Sequence, residues 1–150
     1  MAKDEVRELL ARAKKDKVAF VDLQFNDFLG NIKSSTIPVY NLEDALTKGI
    51  WIDGSSIEGF ARIHESDMYL VPDMATYALL PWRNDVETGR VARLICDVYT
   101  PNHEPFEGDP RNILKRVLKE AKALGLEYYT GPECEFFLFP KDDSGAIKRE

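Results

Sequence analysis

Apolar and polar positions recur in this chain with two periods, and the switches between them lay out most of its elements. Over Asp4 to Lys15, Val6, Leu9, Leu10 and Ala13 follow the i, i+3, i+4, i+7 spacing of an amphipathic helix, with Asp4 as its N-cap. Val18 to Phe25 and Ile32 to Val39 read as two strands. Asn26-Asp27 and Gly30-Asn31 supply turn chemistry between them, so the pair predicts a hairpin, with Pro38 marking an edge. Asn41 can cap a short helix from Leu42 to Lys48, which Gly49 stops. Ile50-Trp51-Ile52 predicts a brief strand, Met68 to Val71 and Tyr77 to Leu80 two more, punctuated by Pro72 and Pro81, and Val91 to Tyr99 another after the turn Glu87-Thr88-Gly89. Five or six short strands with one or two helices predict an α+β unit with a mostly antiparallel sheet.

Composition then shifts. Thr100 to Pro110 holds three prolines and no aliphatic residue, the pattern of a linker. Asp109-Pro110 reads as an N-cap followed by proline at the first helical position. The helix predicted from about Arg111 to Leu124 carries Ile113, Leu114, Val117, Leu118, Ala121 and Leu124 on one stripe, and Gly125 ends it. Gly131 to Phe139 then predicts an aromatic strand ended by Pro140, and Asp142 to Gly145 a turn into a returning strand at Ala146. About 40 residues after the linker are at the lower limit for a unit that folds alone. The expectation is therefore a first domain over 1–103 and the start of a second over 104–150, cut before it is complete.

A formal net charge of −6 at pH 7 argues against a general nucleic-acid or anionic-membrane surface. No apolar run approaches the roughly 20 residues of a membrane span, and the charged N-terminus does not resemble a signal peptide. Two cysteines without CxxC spacing fit a reducing, cytoplasmic compartment better than a disulfide or zinc framework. His64 and His103 are isolated.

Two stretches carry candidate chemistry. On the predicted strand Glu133, Glu135, Phe137 and Phe139 share one face, and residues two apart lie about 6.6 Å apart along it. Two carboxylates at that spacing repel, and a lysine, an arginine or a hard cation bound through oxygen would sit between them. A solvated face near the strand end, a single Glu–Lys pair and a general acid/base pair are the other readings. The second stretch is Asp53-Gly54-Ser55-Ser56-Ile57-Glu58-Gly59, a polar loop leaving a strand. Asp53 could accept a proton or partner a cation, and Ser55 and Ser56 could donate to anions. An ordinary Asx or Ser turn explains the same residues. The loop lacks the Gly-x4-Gly-Lys-Ser/Thr pattern of a P-loop.

Taken together, the two stretches resemble a known family. Asp53-Gly54-Ser55-Ser56, followed after eight residues by Glu65-Ser66-Asp67-Met68-Tyr69-Leu70, is similar to the N-terminal signature of glutamine synthetases of the bacterial and archaeal type I. Phe28 to Lys33 with Ile37-Pro38 resemble its upstream hairpin, and Asp109-Pro110-Arg111 and Gly131 to Phe139 the start of its catalytic domain. Ile52 stands where an aromatic residue is usual, and Cys134 where proline is common. The resemblance implies a β-grasp N-terminal domain and ATP-dependent ligation of glutamate and ammonia through γ-glutamyl phosphate. It implies Glu133 and Glu135 as metal ligands, each helping to hold one of two Mg²⁺ or Mn²⁺ ions, and Asp53 as the residue that binds ammonium and helps deprotonate it in a neighbouring subunit's site. Arg62 matches a position that senses product glutamine in one type I subgroup. The assembly implied is a dodecamer of two hexameric rings. The nucleotide-binding segments, the remaining ligands and the glutamate-binding arginines would lie beyond residue 150. A ligase for another amine, a free-standing β-grasp interaction module and a simple divalent-cation binder are the competing readings.

Overall fold

The computed structural model describes residues 3–56, 67–85 and 87–148. The apolar stripe of the first helix, α1 (Lys3–Lys15), buries Val6, Leu9 and Ala13. Asp4 lies within its first turn rather than capping it, where its charge still suits the positive end of the helix dipole. Strands β1 (Val18–Asn26) and β2 (Ile32–Pro38) form the expected antiparallel hairpin. The turn is fixed by Asp27, whose carboxylate accepts from the Asn31 backbone N at 2.8 Å and from Asn31 Nδ2 at 3.0 Å. Burial of Asp27 would raise its pKa, but the hydrogen bonds from Asn31 and Lys33 outweigh that and hold the carboxyl below the usual range.

Helix α2 (Leu42–Lys48) buries Leu42, Ala45 and Leu46. Asn41 occupies the cap position without a side-chain hydrogen bond, and Glu43 and Asp44 supply the negative charge of the first turn instead. Gly49, at φ 74°, ends the helix in the left-handed region that glycine tolerates. Strand β3 (Ile50–Asp53) follows.

The two short strands expected around Pro72 and Pro81 are instead one strand, β4 (Asp67–Asp85). Both prolines are accommodated for identifiable reasons. Pro72 lies past the end of the β3 ladder, which stops at the Ile50↔Leu70 pair, so it has only β5 as a neighbour. Pro81 falls within a register shift between Leu79 and Asn84. A residue without an N–H is tolerated where the ladder is one-sided or interrupted. Strand β5 (Gly89–Tyr99) completes a five-stranded sheet of order β2-β1-β5-β4-β3. β1 and β5 are parallel and the other pairs antiparallel. Gly89, at φ 89°, lies against Ala19, where an added Cβ would come within 2.4 Å of the alanine Cβ.

Alternation divides the sheet into two faces. Val21, Leu23 and Phe25 of β1, Leu94, Cys96 and Val98 of β5, and Met68 and Leu70 of β4 point to the face covered by α1 and α2, and form the core with them. The opposite face carries Asp22, which accepts from Thr36 Oγ1 at 2.7 Å and pairs with Arg83 at 2.9 Å.

The stretch that reads as a linker is laid along β5. Thr100 N donates to Glu104 O at 2.8 Å, and Phe106 N to Val98 O at 2.9 Å. Helix α3 (Pro110–Ala123) begins as expected, with Asp109 capping it through Arg111 N at 3.1 Å. The second oxygen of Asp109 accepts from Val98 N at 3.0 Å. Asp109 is thus buried at 1% exposure because it completes two backbone amides from different elements. Gly125 follows at φ 74°.

After α3 the expectation fails in part. Gly131 to Phe139 forms no ladder, every residue of it is exposed, and the returning segment is held by a single bridge, Lys141↔Ile147. The turn itself forms, with Ser144 N and Oγ donating to Asp142 Oδ1 at 2.9 and 2.6 Å. Strand propensity in Phe136 to Phe139 does not suffice, because a strand is stable only when its backbone groups find a partner. The apolar stripe of α3 is likewise uncovered, with Val117 55% exposed.

Asp109→Ala removes the cap and leaves Val98 N–H buried without an acceptor. It should cost about 2–4 kcal/mol in urea unfolding. Burial, only partly offset by the amides of Val98 and Arg111, raises the Asp109 pKa. The folded chain therefore holds this proton more tightly than the unfolded chain. As pH rises from the ordinary carboxylate value of about 3.9 through the raised folded value, wild type should lose stability relative to Asp109→Asn, and the difference should level off above that window.

Candidate functional site

Asp53 ends β3, an outer strand of the sheet, and opens the turn Gly54–Ser56. Its Oδ1 accepts from Ser55 N at 2.9 Å and from Ser55 Oγ at 2.6 Å. These bonds, the hydroxyl's first, lower its pKa against a small opposing effect of burial. The ordinary Asx turn expected for these residues forms, and its two bonds stabilise the charged form of an exposed carboxylate. Across the ladder Asp53 faces Asp67, also exposed, which adds negative potential at this end of the sheet.

The same face continues inward as a row of aromatics. Trp51 opposes Tyr69 and Tyr69 opposes Tyr99. The Trp51 and Tyr69 ring centroids are 3.8 Å apart, and His103 stacks on Tyr69 at 4.5 Å. His103, isolated in sequence, thus has a structural partner. Its φ of 59° is one that few residues other than glycine adopt without local support.

Glu133 and Glu135 lie on the unpaired segment after α3, both exposed. As hard oxygen donors the two carboxylates suit Mg²⁺ or Mn²⁺ in type. In number they fall short, since among the described residues no group of three or more His, Cys, Asp or Glu could hold an ion. The pair fits as part of a donor set. Arg62 and the rest of the motif between Ile57 and Ser66 lie outside the described residues. Asp53, at the end of β3, and the two glutamates, on the exposed segment after α3, share no described contact.

A charged cluster that periodicity does not reveal holds α3 in place. Arg111 Nε donates to Asp97 Oδ1 at 2.7 Å, and Arg111 Nη2 pairs with Asp73. Lys115 pairs with the other oxygen of Asp97, and Asn112 Nδ2 donates to Val98 O at 2.9 Å. Alternation puts Asp73 and Asp97 on the face away from α1 and α2, but nothing local indicates that Arg111 and Lys115 will meet them there.

Comparison with known proteins joins these halves. The family model for the glutamine synthetase β-grasp domain matches residues 17–101, and that for the glutamine synthetase catalytic domain matches 107–150. The chain belongs to the glutamine synthetase family. A glutamine synthetase of Clostridium saccharobutylicum is 49% identical over 145 residues, covering 97% of this chain and 32% of that protein. One from Staphylococcus aureus strain MW2 is 52% identical over 144 residues, covering 95% and 31%. The chain thus spans about a third of the length of these glutamine synthetases. Among solved structures, a GmaS–ADP complex superposes with a TM-score of 0.69 at 26% identity, covering 77% of this chain and 26% of that one. A Plasmodium falciparum glutamine synthetase superposes with the same TM-score at 24% identity, over 80% and 23%, a likeness of fold. Asp53 falls in the β-grasp span of the family and the glutamates in the catalytic span.

Ser55→Ala removes the 2.6 Å hydroxyl bond to Asp53. The Asp53 titration, followed by carboxyl-carbon NMR, should move up toward the ordinary carboxylate value, while that of Asp142, which has its own serine turn, stays in place.

Proposed function

We propose that this chain is the N-terminal part of a glutamine synthetase, with a β-grasp domain over 1–103 and the beginning of the catalytic domain over 104–150. The observation that carries the reading is the pair of family matches in order along the chain, at about 50% identity to proteins of that name over nearly all of it. The reaction is amidation of glutamate. Its side-chain carboxylate takes the terminal phosphoryl group of ATP, leaving ADP. Ammonia then attacks the acyl carbon, and phosphate departs as glutamine forms. The ADP named in the GmaS structure supports the nucleotide.

Asp53 contributes a fixed negative charge. A carboxylate held below its usual pKa binds an ammonium ion more readily than it removes a proton from it, so its first task is to gather the cation; it then stabilises the proton as it leaves. Glu133 and Glu135 would hold the ions. A divalent cation bound there supplies neutralisation of phosphoryl charge and orientation of the acceptor carboxylate. Asp53 sits exposed at the end of an outer strand, and we place it in a neighbouring subunit's site. The protein is then a homo-oligomer, with the double hexameric ring as its form. Arg62 is the candidate for glutamine sensing. No helix among the described residues is long and apolar enough to cross a membrane. Both thiols are free, Cys96 buried and Cys134 exposed, in keeping with the cytoplasm.

The test uses protein extended through the catalytic domain. Glu133→Ala or Glu135→Ala should lower metal-dependent turnover by about 10²-fold or more, with weaker Mn²⁺ binding by calorimetry. Asp53→Ala should raise the KM for ammonia far more than that for ATP. Normal Mn²⁺ affinity in both glutamate variants removes the ligand assignment. The 150-residue chain by itself should release no phosphate from ATP and glutamate.

A further inference from the structure

The apparent linker invites a hinge between the two matched domains, and the contacts across it argue the reverse. We propose that Arg111 is a positioning residue: its guanidinium, shared between Asp97 of β5 and Asp73 of β4, locks the start of α3 onto the sheet, so that the sheet carrying Asp53 and the helix leading to Glu133 and Glu135 move as one body. The meaning of those three acids rests on the function proposed above; the rigidity of the joint does not.

Four observations converge. Arg111 is only 26% exposed and Asp97 only 11%, so the pairing is sheltered from the screening that makes surface ion pairs weak. Its planar fork reaches two carboxylates on different strands at once, through Nε and Nη2, which a point charge cannot do equally well. Asp109, Asn112 and Lys115 add bonds to β5 from the first two turns of the same helix. The stretch before it is pinned by the Tyr99↔Pro105 bridge, by Phe106 N to Val98 O at 2.9 Å and by His103 on Tyr69. Every one of these contacts is made by polar groups, backbone or a stacked ring, while the apolar stripe of α3 remains exposed. Docking of α3 therefore does not wait for anything to cover that stripe. Two acids face one arginine and one lysine, and losing the arginine leaves Asp73 and Asp97 with Lys115 alone, a net negative charge on a half-buried surface.

If the joint is rigid, rearrangement of the site during catalysis must come from the turn after Asp53 or from the chain after α3, and not from rotation at 100–110. Amide hydrogen exchange on the 150-residue chain tests this, comparing wild type with Arg111→Gln, Arg111→Lys and Asp73→Asn. In wild type the α3 amides should be protected together with Val98. Arg111→Gln should speed exchange in α3 by about tenfold or more, leaving Leu23 and Leu94 within about twofold. Arg111→Lys should restore part of the protection, and Asp73→Asn should give an intermediate loss. Wild-type α3 exchanging as fast as residues 126–139, or unaffected by Arg111→Gln, overturns the proposal. If Arg111→Gln unfolds the sheet as well, Asp73→Asn decides: faster exchange in α3 alone supports the joint, and equal loss in sheet and helix overturns it. None of these outcomes depends on ligase activity, which the turnover assays read separately.

Discussion

The carboxylate of Asp109 accepts hydrogen bonds from two amides, one in β5 and one in α3, and the arrangement of everything after residue 99 depends on that sharing. An amide at the end of a strand and an amide at the start of a helix both lack partners within their own elements. One buried acid satisfies both, and so fixes the direction in which the chain leaves the sheet. Proline at position 110 contributes by removing a donor that would otherwise compete and by setting a backbone angle suited to the first turn. Arg111, Asn112 and Lys115 then fall within reach of the sheet, because they occupy the first two turns of a helix whose origin is already placed.

That polar joint contrasts with the other side of the sheet. There α1 and α2 cover a continuous apolar surface from β1, β4 and β5, and stability comes from area removed from water. The two faces therefore have different tasks. The apolar one makes the domain fold. The polar one carries Asp53, Asp67, the aromatic row and the seat of α3, which makes it the face on which a site can be built. A buried charged residue such as Asp97 is tolerated only because Arg111 and Lys115 are supplied by an element that packs against it.

The candidate site is divided in the same way. Asp53 accepts two bonds from Ser55 in its own turn, which lower its pKa. The glutamates have the right chemistry but no enclosure, because the segment bearing them has no strand to pair with. A family whose catalytic domain extends well past the span matched here accounts for both facts.

Local features were legible in the residues themselves. The stripe Val6, Leu9, Ala13, the stop at Gly49, the cap at Asp109 and the turn at Asp27 each depend on neighbours within four or five positions, and the sequence by itself determined them. The motif around Asp53 was legible for the same reason. Other features depended on partners far along the chain: the parallel pairing of β1 with β5, the merging of two strands across Pro72, the absence of a ladder at Phe136 to Phe139, and the meeting of Arg111 with Asp73. Periodicity states which face a side chain takes. It does not state which strand lies next to it, since that is decided by closing long loops against the burial they permit. The tertiary structure alone decided those pairings, and with them whether an acidic residue became a surface charge or half of a buried ion pair.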